Sequence, residues 1–214
     1  MSSKGGNTNL IPVIMSHGLM ASRMLYTVVC RELASHGYIV FAPDHHDGSN
    51  HYTEQEDGTP IKYDLSINKV KGEEYYEKMH EKVLIREHEI KEIIDEISDP
   101  SYPFSGVGLT GGVYFDMSKL IVAGHSMGGV TALRIGQSDP RVNCILTLDP
   151  WLLPIHKEVL AGKFNYSKEN QSLMIINSEI FQSAMESFDG PGCCAKILDQ
   201  FEKVSPKVEE ISMN

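Results

Sequence analysis

Residues 120–136 read LIVAGHSMGGVTALRIG, and this stretch decides the fold. An apolar run of strand character leads into GHSMG (124–128), and small residues with a helical pattern follow. A G-x-S-x-G motif between a strand and a helix predicts a sharp turn that lifts the serine hydroxyl above the end of a sheet. Glycines suit such a turn because they have no Cβ to clash. Ser126 is therefore the candidate nucleophile; the alternative is a glycine-rich turn that happens to contain a serine.

A nucleophilic serine that attacks an ester also needs backbone N–H donors for the oxyanion that develops. Met127, the residue after the serine, supplies one of them. The second is expected from the loop after an earlier strand, where SHGL (16–19) follows the apolar run IPVIM. The glycine of this loop permits a turn that directs the Leu19 amide to the site. His17 is expected to shape the loop by hydrogen bonding rather than to act as a base.

The serine needs a base, and the base needs an acid that orients it. Asp149 lies 23 residues after Ser126, in the segment LTLDPW at the end of the next predicted strand. Functional side chains of α/β folds gather at the carboxyl ends of strands. Glu179, at the end of the following strand, is the rival acid. For either carboxylate, the plain alternative is a solvated loop position.

No histidine stands where the base is expected. His156 is the only histidine after Asp149, and it precedes the next predicted strand. His125 adjoins Ser126, but neighbouring side chains at such a turn diverge. The chain as written therefore lacks a general base, and we interpret this as truncation rather than design.

Strand-like apolar runs recur along the chain and alternate with helical patterns. The strand candidates are IPVIM (11–15), YIVFA (38–42), KLIVA (119–123), VNCILTL (142–148), SLMIIN (172–177) and the weaker VEEISM (208–213). The helix candidates are 24–33, 73–97, 128–137 and about 195–204. Continuous rather than alternating apolarity is typical of parallel strands covered on both faces. The pattern predicts one α/β domain over residues 1–214, with a mostly parallel central sheet and helices on both faces.

Three other segments have two interpretations each. The polar stretch 43–72 is long for a connection and is expected to be a functional or mobile loop. It contains DHHD (44–47) and His51, which are rich in metal ligands, but consecutive side chains on a loop diverge, so we predict no metal site. WLLPI (151–155) is either an exposed lipid-contacting patch or, as we favour, a buried wall of the acyl pocket. The charged face of helix 73–97 is expected to be solvated.

Composition excludes several classes of function. The 214 residues carry a formal net charge of −10, which argues against nucleic acids and anionic membrane surfaces as partners. No apolar run reaches the ~18 residues that would span a bilayer, and the polar start lacks the apolar stretch of a secretory signal. Four cysteines without framework spacing suggest a reducing compartment, so a cytoplasmic location is the expectation.

Four stretches together resemble the plasma and intracellular type II platelet-activating factor acetylhydrolases. They are SHGLMASRMLYTVVCRELASHGYIVFAPDHHDGS, KLIVAGHSMGGVTAL, CILTLDPWLLPI and SLMIINSEIFQ, which occur in this order and cover most of residues 12–182. The combination is far more specific than G-x-S-x-G alone.

The resemblance implies an α/β-hydrolase that acts as a calcium-independent phospholipase A2-type esterase. Such enzymes release short or oxidised acyl groups from the second position of glycerophospholipids, need no cofactor, and touch a membrane or lipoprotein surface only transiently. The matching residues are Ser126 as nucleophile, Asp149 as triad acid, and the amides of Leu19 and Met127 as oxyanion donors. The family places this acid one strand earlier than most α/β-hydrolases do, which favours Asp149 over Glu179.

Two departures from the family pattern define the alternatives. The family's catalytic histidine lies a few residues beyond a strand similar to VEEISM, which here means just past Asn214, and the family also has strands before its equivalent of IPVIM. The domain is therefore expected to be incomplete at both ends. The alternatives are a non-catalytic relative that has lost its base, and another α/β-hydrolase, such as a dienelactone-hydrolase-like enzyme, with its acid near Glu179.

Overall fold

A computed structural model describes residues 8–102, 108–109, 113–164, 166, 171–189, 195–199 and 208–213. The strands are β1 Thr8–Ser16, β2 Tyr38–Phe41, β3 Tyr52–Glu54, β4 Pro60–Lys62, β5 Val113–Phe115, β6 Ile121–His125, β7 Cys144–Leu148, β8 Ser172–Ser178 and β9 Val208–Met213. The helices are α1 Thr27–Ser35, α2 Gly72–Ser98, α3 Met127–Ser138, α4 His156–Leu160 and α5 Glu179–Asp189. Short 3-10 turns occupy Arg23–Tyr26, Leu65–Lys69, Met117–Lys119 and Leu153–Ile155.

The central sheet has seven strands in the order β2-β1-β6-β7-β8-β9, with β5 beside the start of β1. Every pairing within it is parallel. All carboxyl ends of the strands therefore meet at one edge of the sheet. The segments that follow β1, β6, β7 and β8 begin at this edge, and every predicted site residue lies in one of these loops or at the start of the helix that follows. The predicted α/β architecture with a parallel sheet is confirmed.

Helices cover both faces of this sheet. Alternate residues of β1 point in opposite directions, so Ile14 joins one core and Val13 and Met15 join another. The first core is the larger and contains buried side chains of α2 and α3. The second lies under α1.

Helix α1 confirms the helix predicted for 24–33, but most of the apolar residues of its predicted buried face are exposed. Its contacts with the sheet come from Cys30 and Leu33, and Tyr26 at the end of the preceding 3-10 turn adds a third contact one helical turn before Cys30. Other apolar residues that the pattern places on one face, Met24 and Val28 among them, are 69% and 80% exposed. The first of these belongs to the 3-10 turn before the helix.

Helix α2 spans 27 residues, and the prediction that its charged face is solvated holds for exposed positions such as Glu81 and Glu92 but is wrong for three charged residues. Lys82, Arg86 and Glu87 are buried along with the apolar stripe. Arg86 lies three residues after Val83 and four before Ile90, so it occupies a position of the stripe itself. No described helix is apolar enough over a sufficient length to cross a bilayer.

The remaining differences concern short elements. The sequence pattern missed the antiparallel hairpin β3–β4 inside the loop 43–72, and also β5, α4 and α5. Strands of three residues are too short to show a period. The predicted helix at 195–204 is helical over 195–199, and its remainder lies outside the described residues.

Candidate active site

Ser126 occupies the corner between β6 and α3, with φ 54° and ψ −118°. Non-glycine residues rarely adopt this conformation, which persists only where the surroundings hold it. The Ser126 amide donates to the carbonyl of Leu148 at 3.0 Å, and its carbonyl accepts from Val130 at 3.2 Å and Trp151 at 3.1 Å. The strained corner is therefore fixed by both the following helix and the neighbouring strand.

The flanking glycines are required by close backbone approach. A Cβ added to Gly124 would lie 2.2 Å from the carbonyl carbon and oxygen of Gly128. A Cβ on Gly128 would lie 2.1 Å from the carbonyl oxygen of Ser16 at the end of β1. These contacts confirm that the glycines are needed because a Cβ would clash there. They also show that the start of α3 is in contact with the end of β1 and the loop that follows it.

Two backbone amides are available beside the serine. Met127 is the first residue of α3, where helical N–H groups have no intrahelical partner. Leu19 lies in the loop after β1, and the preceding Gly18 is so close that an added Cβ would be 3.3 Å from the Ser126 Cβ. Within the described part of the chain, neither amide donates a hydrogen bond to another residue. Such a pair of free donors can receive a negatively charged oxygen.

Asp149 follows β7 directly and is half-buried, with φ 46°. Its amide donates to the carbonyl of Ile176 at 2.8 Å. Its carboxylate accepts two hydrogen bonds from Ser178, one from the amide at 2.6 Å and one from the hydroxyl at 2.8 Å. Leu148 and Trp151, which stand on either side of Asp149 in the chain, both form backbone hydrogen bonds with Ser126. Glu179, the rival acid, is exposed at the start of α5.

Three non-glycine residues in the described part of the chain have positive φ, and they mark the same place. They are Met20, Ser126 and Asp149, with φ of 56°, 54° and 46°. One follows the predicted oxyanion donor Leu19, and the other two are the predicted nucleophile and acid. Strain of this kind concentrates at functional sites.

The histidines near the site do not contact the serine hydroxyl. His125 shares a hydrogen bond of 2.7 Å with the Tyr26 hydroxyl, and burial lowers the pKa of His125 although Asp149 opposes the shift. His156 is 2.5 Å from the carbonyl of Leu153 through Nδ1, and its Nε2 lies 3.4 Å from Glu73. Among the described residues no histidine lies within hydrogen-bond distance of the Ser126 hydroxyl.

The end of β9 adjoins the acid. In the register of β8 and β9, Met213 pairs with Ser178, the residue that holds Asp149. The described end of β9 therefore lies at the edge of the sheet where Ser126 and Asp149 lie.

The DHHD segment forms a buried polar cluster that sequence reasoning missed. The Ser16 hydroxyl lies 2.8 Å from His45 Nε2, and His45 Nδ1 lies 2.6 Å from Glu89. This order of groups resembles a catalytic triad, but Ser16 and His45 are 0% exposed, so a substrate cannot reach them. Asp47 pairs with Arg86 instead, and Asp44 with Arg23. The side chains diverge, as the sequence predicts.

His17 shapes its loop, which confirms its expected role. His17 Nδ1 lies 2.8 Å from the carbonyl of Gly18, and His17 Nε2 accepts from the His45 amide at 3.2 Å. Burial, together with the positive charge of Arg86, lowers the pKa of His17 to about 3. The ring is therefore neutral at physiological pH, with its proton on Nδ1.

A cleft of about 620 Å³ opens beside Ser126. Its walls are mainly apolar and aromatic: Leu19, Val70, Lys71, Gly72, Tyr75, Tyr76, Ser126, Trp151, Phe181 and Met185. Trp151 is 8% exposed and the rest of WLLPI is buried with it, which confirms that this segment is buried rather than an exposed patch, and Trp151 itself lines the cleft.

Proteins with similar sequences are named platelet-activating factor acetylhydrolase or putative phospholipase A2. The family model described as platelet-activating factor acetylhydrolase, isoform II, matches residues 4–196. Platelet-activating factor acetylhydrolase of Bos taurus is 35% identical over 184 residues, which are 79% of this chain and 40% of that protein. A putative phospholipase A2 of Schizosaccharomyces pombe is 26% identical over 219 residues, 85% of this chain and 49% of that protein. The chain thus spans 40% of the length of its bovine relative.

Two solved structures with similar folds are titled esterases. A ferulic acid esterase from Streptomyces cinnamoneus gives a TM-score of 0.62 at 18% identity, over 97% of this chain and 50% of that one. An esterase from Pyrococcus furiosus gives 0.56 at 16% identity, over 97% and 75%. At these identities the likeness establishes the α/β-hydrolase fold. With this fold, and with a family model that matches most of its length, the chain belongs to the platelet-activating factor acetylhydrolase, isoform II, family.

Proposed function

We propose that the protein is a serine esterase that hydrolyses short or oxidised acyl esters at the sn-2 position of glycerophospholipids without calcium. The observation that carries this proposal is the strained Ser126 beside two free backbone amides at an apolar cleft. The names of the bovine and yeast relatives supply the lipid substrate class.

The geometry supports the following roles. The Ser126 hydroxyl attacks the ester carbonyl while a base takes its proton, and the amides of Leu19 and Met127 receive the oxyanion. The tetrahedral intermediate expels the lysophospholipid, which takes the proton from the base, and leaves an acyl-serine that water hydrolyses. Asp149 orients the base and stabilises its protonated form. We assign the base to a histidine that enters beside Ser178 from residues following β9, since that strand delivers the chain to this edge.

The cleft and the charge of the chain support the choice of substrate. Aromatic walls formed by Tyr75, Trp151 and Phe181 fit an acyl group and the glycerol backbone, and Lys71 at the rim suits a phosphate. The net charge of −10 favours transient contact with zwitterionic rather than anionic lipid surfaces. The free thiols of Cys30 and Cys144 fit the proposed cytoplasmic location.

The test uses the full-length protein and a fluorophosphonate probe, which labels activated serines covalently. We expect labelling and hydrolysis of a 2-acetyl phospholipid in the presence of EDTA, both lost in Ser126→Ala. Turnover of a 2-palmitoyl analogue should be at least tenfold slower. Absence of labelling would overturn the proposal in favour of a non-catalytic relative, and equal rates on the two lipids would overturn the substrate assignment.

A further inference from the structure

A fully buried guanidinium lies beneath the loop that carries Leu19. Arg86 of α2 is 0% exposed, as is the side chain of its partner Asp47. The proposed chemistry does not use either charge. A buried ion pair is weak support for stability, because apolar residues of similar volume often serve as well. The contacts of Arg86 therefore call for another explanation.

All three donor groups of Arg86 are engaged, and they point at two backbone segments. Nη1 donates to the carbonyl of His17 at 2.5 Å, Nε donates to Asp47 at 2.7 Å, and Nη2 donates to the Ser49 hydroxyl. Asp47 in turn accepts from the Ser49 amide at 2.9 Å and from its hydroxyl at 2.6 Å. Burial alone would raise the pKa of Asp47, but Arg86 and Ser49 hold it below its usual value.

These contacts fix the loop on both sides of Leu19. Before it, the His17 carbonyl is held by Arg86. After it, the Met20 amide donates at 2.8 Å to the carbonyl of Ser49, which Arg86 and Asp47 hold in place. The hydrogen bond from the Met20 amide to Ser49 thus supports the left-handed conformation of Met20.

The direction of the Leu19 N–H follows from the peptide plane. In a trans peptide the carbonyl of one residue and the amide of the next point in opposite directions. The Gly18 carbonyl is held by the His17 ring at 2.8 Å, and that ring is fixed by the His45 amide. With the Gly18 carbonyl anchored on that side, the Leu19 amide is directed away from the buried cluster and remains free for a ligand.

We propose, on the basis of the proposed function, that Arg86 is a positioning residue for the oxyanion hole. It holds the His17 carbonyl and the Ser49 loop so that the peptide between Gly18 and Leu19 keeps its amide turned to the reacting carbonyl. Arg86 does not touch the substrate. Its effect belongs to the transition state, because the negative charge on the reacting oxygen develops there and persists only in the tetrahedral intermediate, whereas the bound ester is neutral, so ground-state binding in the cleft should change little.

The first experiment compares Arg86→Met with Arg134→Met in the full-length enzyme, with 2-acetyl phospholipid as substrate. Arg134 is a matched control, since it is also a largely buried arginine paired with carboxylates, Glu87 and Glu158, but it does not contact the loop after β1. We expect Arg86→Met to lower kcat by about 10- to 100-fold with KM within about twofold, and Arg134→Met to leave both within about threefold. An unchanged kcat, or a loss confined to KM, would overturn the proposal.

Two milder variants keep the test decisive if Arg86→Met fails to fold. Ser49→Ala removes one contact of the guanidinium, and Arg86→Lys keeps the charge but loses the fork. Each should lower kcat by about 3- to 20-fold while the melting temperature stays above the assay temperature, and wild-type kcat in both folded variants would overturn the proposal. Failure of the proposed function would be distinguishable, because the wild-type enzyme would then show no Ser126-dependent turnover at all.

Discussion

Ser178 donates both its backbone amide and its hydroxyl to the carboxylate of Asp149, at 2.6 Å and 2.8 Å. Ser178 ends β8, and α5 begins at the next residue, so the positive end of an 11-residue helix adjoins the same carboxylate. The carboxylate of Asp149, the proposed acid, is thus oriented by the last residue of the neighbouring strand, without a contact from a base.

The first prediction concerns this contact. Ser178→Ala removes the hydroxyl donor but keeps the amide, so Asp149 loses part of its orientation. We expect kcat for acetyl ester hydrolysis to fall by about 3- to 10-fold, which corresponds to about 1 kcal/mol, the net contribution of one ordinary hydrogen bond, because the amide donor remains. Ser183→Ala on the exposed side of α5 is the control and should retain wild-type kcat. Equal rates in the two variants would contradict the role of Ser178.

The second prediction separates the two candidate acids. Asp149→Asn should lower kcat by about 10³- to 10⁴-fold, because a neutral amide neither stabilises the protonated base nor selects its tautomer. Glu179→Gln should change kcat by less than about threefold, since that carboxylate is exposed. Steady-state kinetics on the purified variants check both. If Glu179→Gln lowered kcat more than Asp149→Asn, the acid would be Glu179 instead.

The third prediction concerns folding of the corner. Gly128→Ala introduces a Cβ at 2.1 Å from the Ser16 carbonyl oxygen, so the backbone of β1 or α3 must move. The free energy of unfolding should fall by about 3 kcal/mol or more, which is at the severe end for a single substitution. Gly129→Ala is the comparison variant. Its added Cβ would lie 3.1 Å from Pro150, so the free energy of unfolding should fall by less. Chemical denaturation measures both, and equal losses would contradict the steric argument.

The fourth prediction is a pH dependence of stability. Burial lowers the pKa of His17 to about 3, while an unfolded histidine titrates near 6.5. Between these values the unfolded state binds more protons than the folded state. Above pH 6.5 this group does not reduce the free energy of unfolding. As the pH drops below 6.5, the free energy of unfolding falls by up to about 1.4 kcal/mol per pH unit from this group.

His17→Asn tests that assignment, since its amide can replace the Nδ1 donor without titrating. Between pH 6 and pH 4 its stability should fall less steeply than that of the wild type, by about 1 kcal/mol per pH unit. The control is His36→Asn, because the His36 side chain is 66% exposed. If both variants keep the wild-type slope, the acid sensitivity arises elsewhere.

Six of the seven strands of the parallel sheet could be read from the sequence, because each is an apolar run bounded by turn residues, weakest in Val208–Met213. The corner at Ser126 could be read for a similar reason, since the glycines that it requires are adjacent in the chain. The positions of Leu19, Ser126 and Asp149 at one edge then followed from parallel pairing. Short strands such as Val113–Phe115 could not be found, because three residues show no period and the pairing partner Thr8–Leu10 is distant in sequence.

The buried cluster below the loop after β1 was missed for a different reason. Asp47 was considered as a metal ligand, and Arg86 was assigned to a solvated face. Their pairing joins residues 39 positions apart, and composition does not show it. One signal was present: Arg86 interrupts the apolar stripe of α2 between Val83 and Ile90, and a charge in such a position needs a buried partner.

The backbone of Ser126 has a consequence for the evolution of the chain. Its conformation, φ 54° with ψ −118°, costs about 1–3 kcal/mol for a residue with a side chain, whereas glycine adopts it freely and loses only about 0.5–1 kcal/mol in entropy. Ser126→Gly should thus raise the melting temperature while it abolishes turnover. If Ser126 is the nucleophile, stability and the proposed activity oppose each other at this position, and a descendant no longer under selection for hydrolysis would gain stability by replacing the serine with glycine.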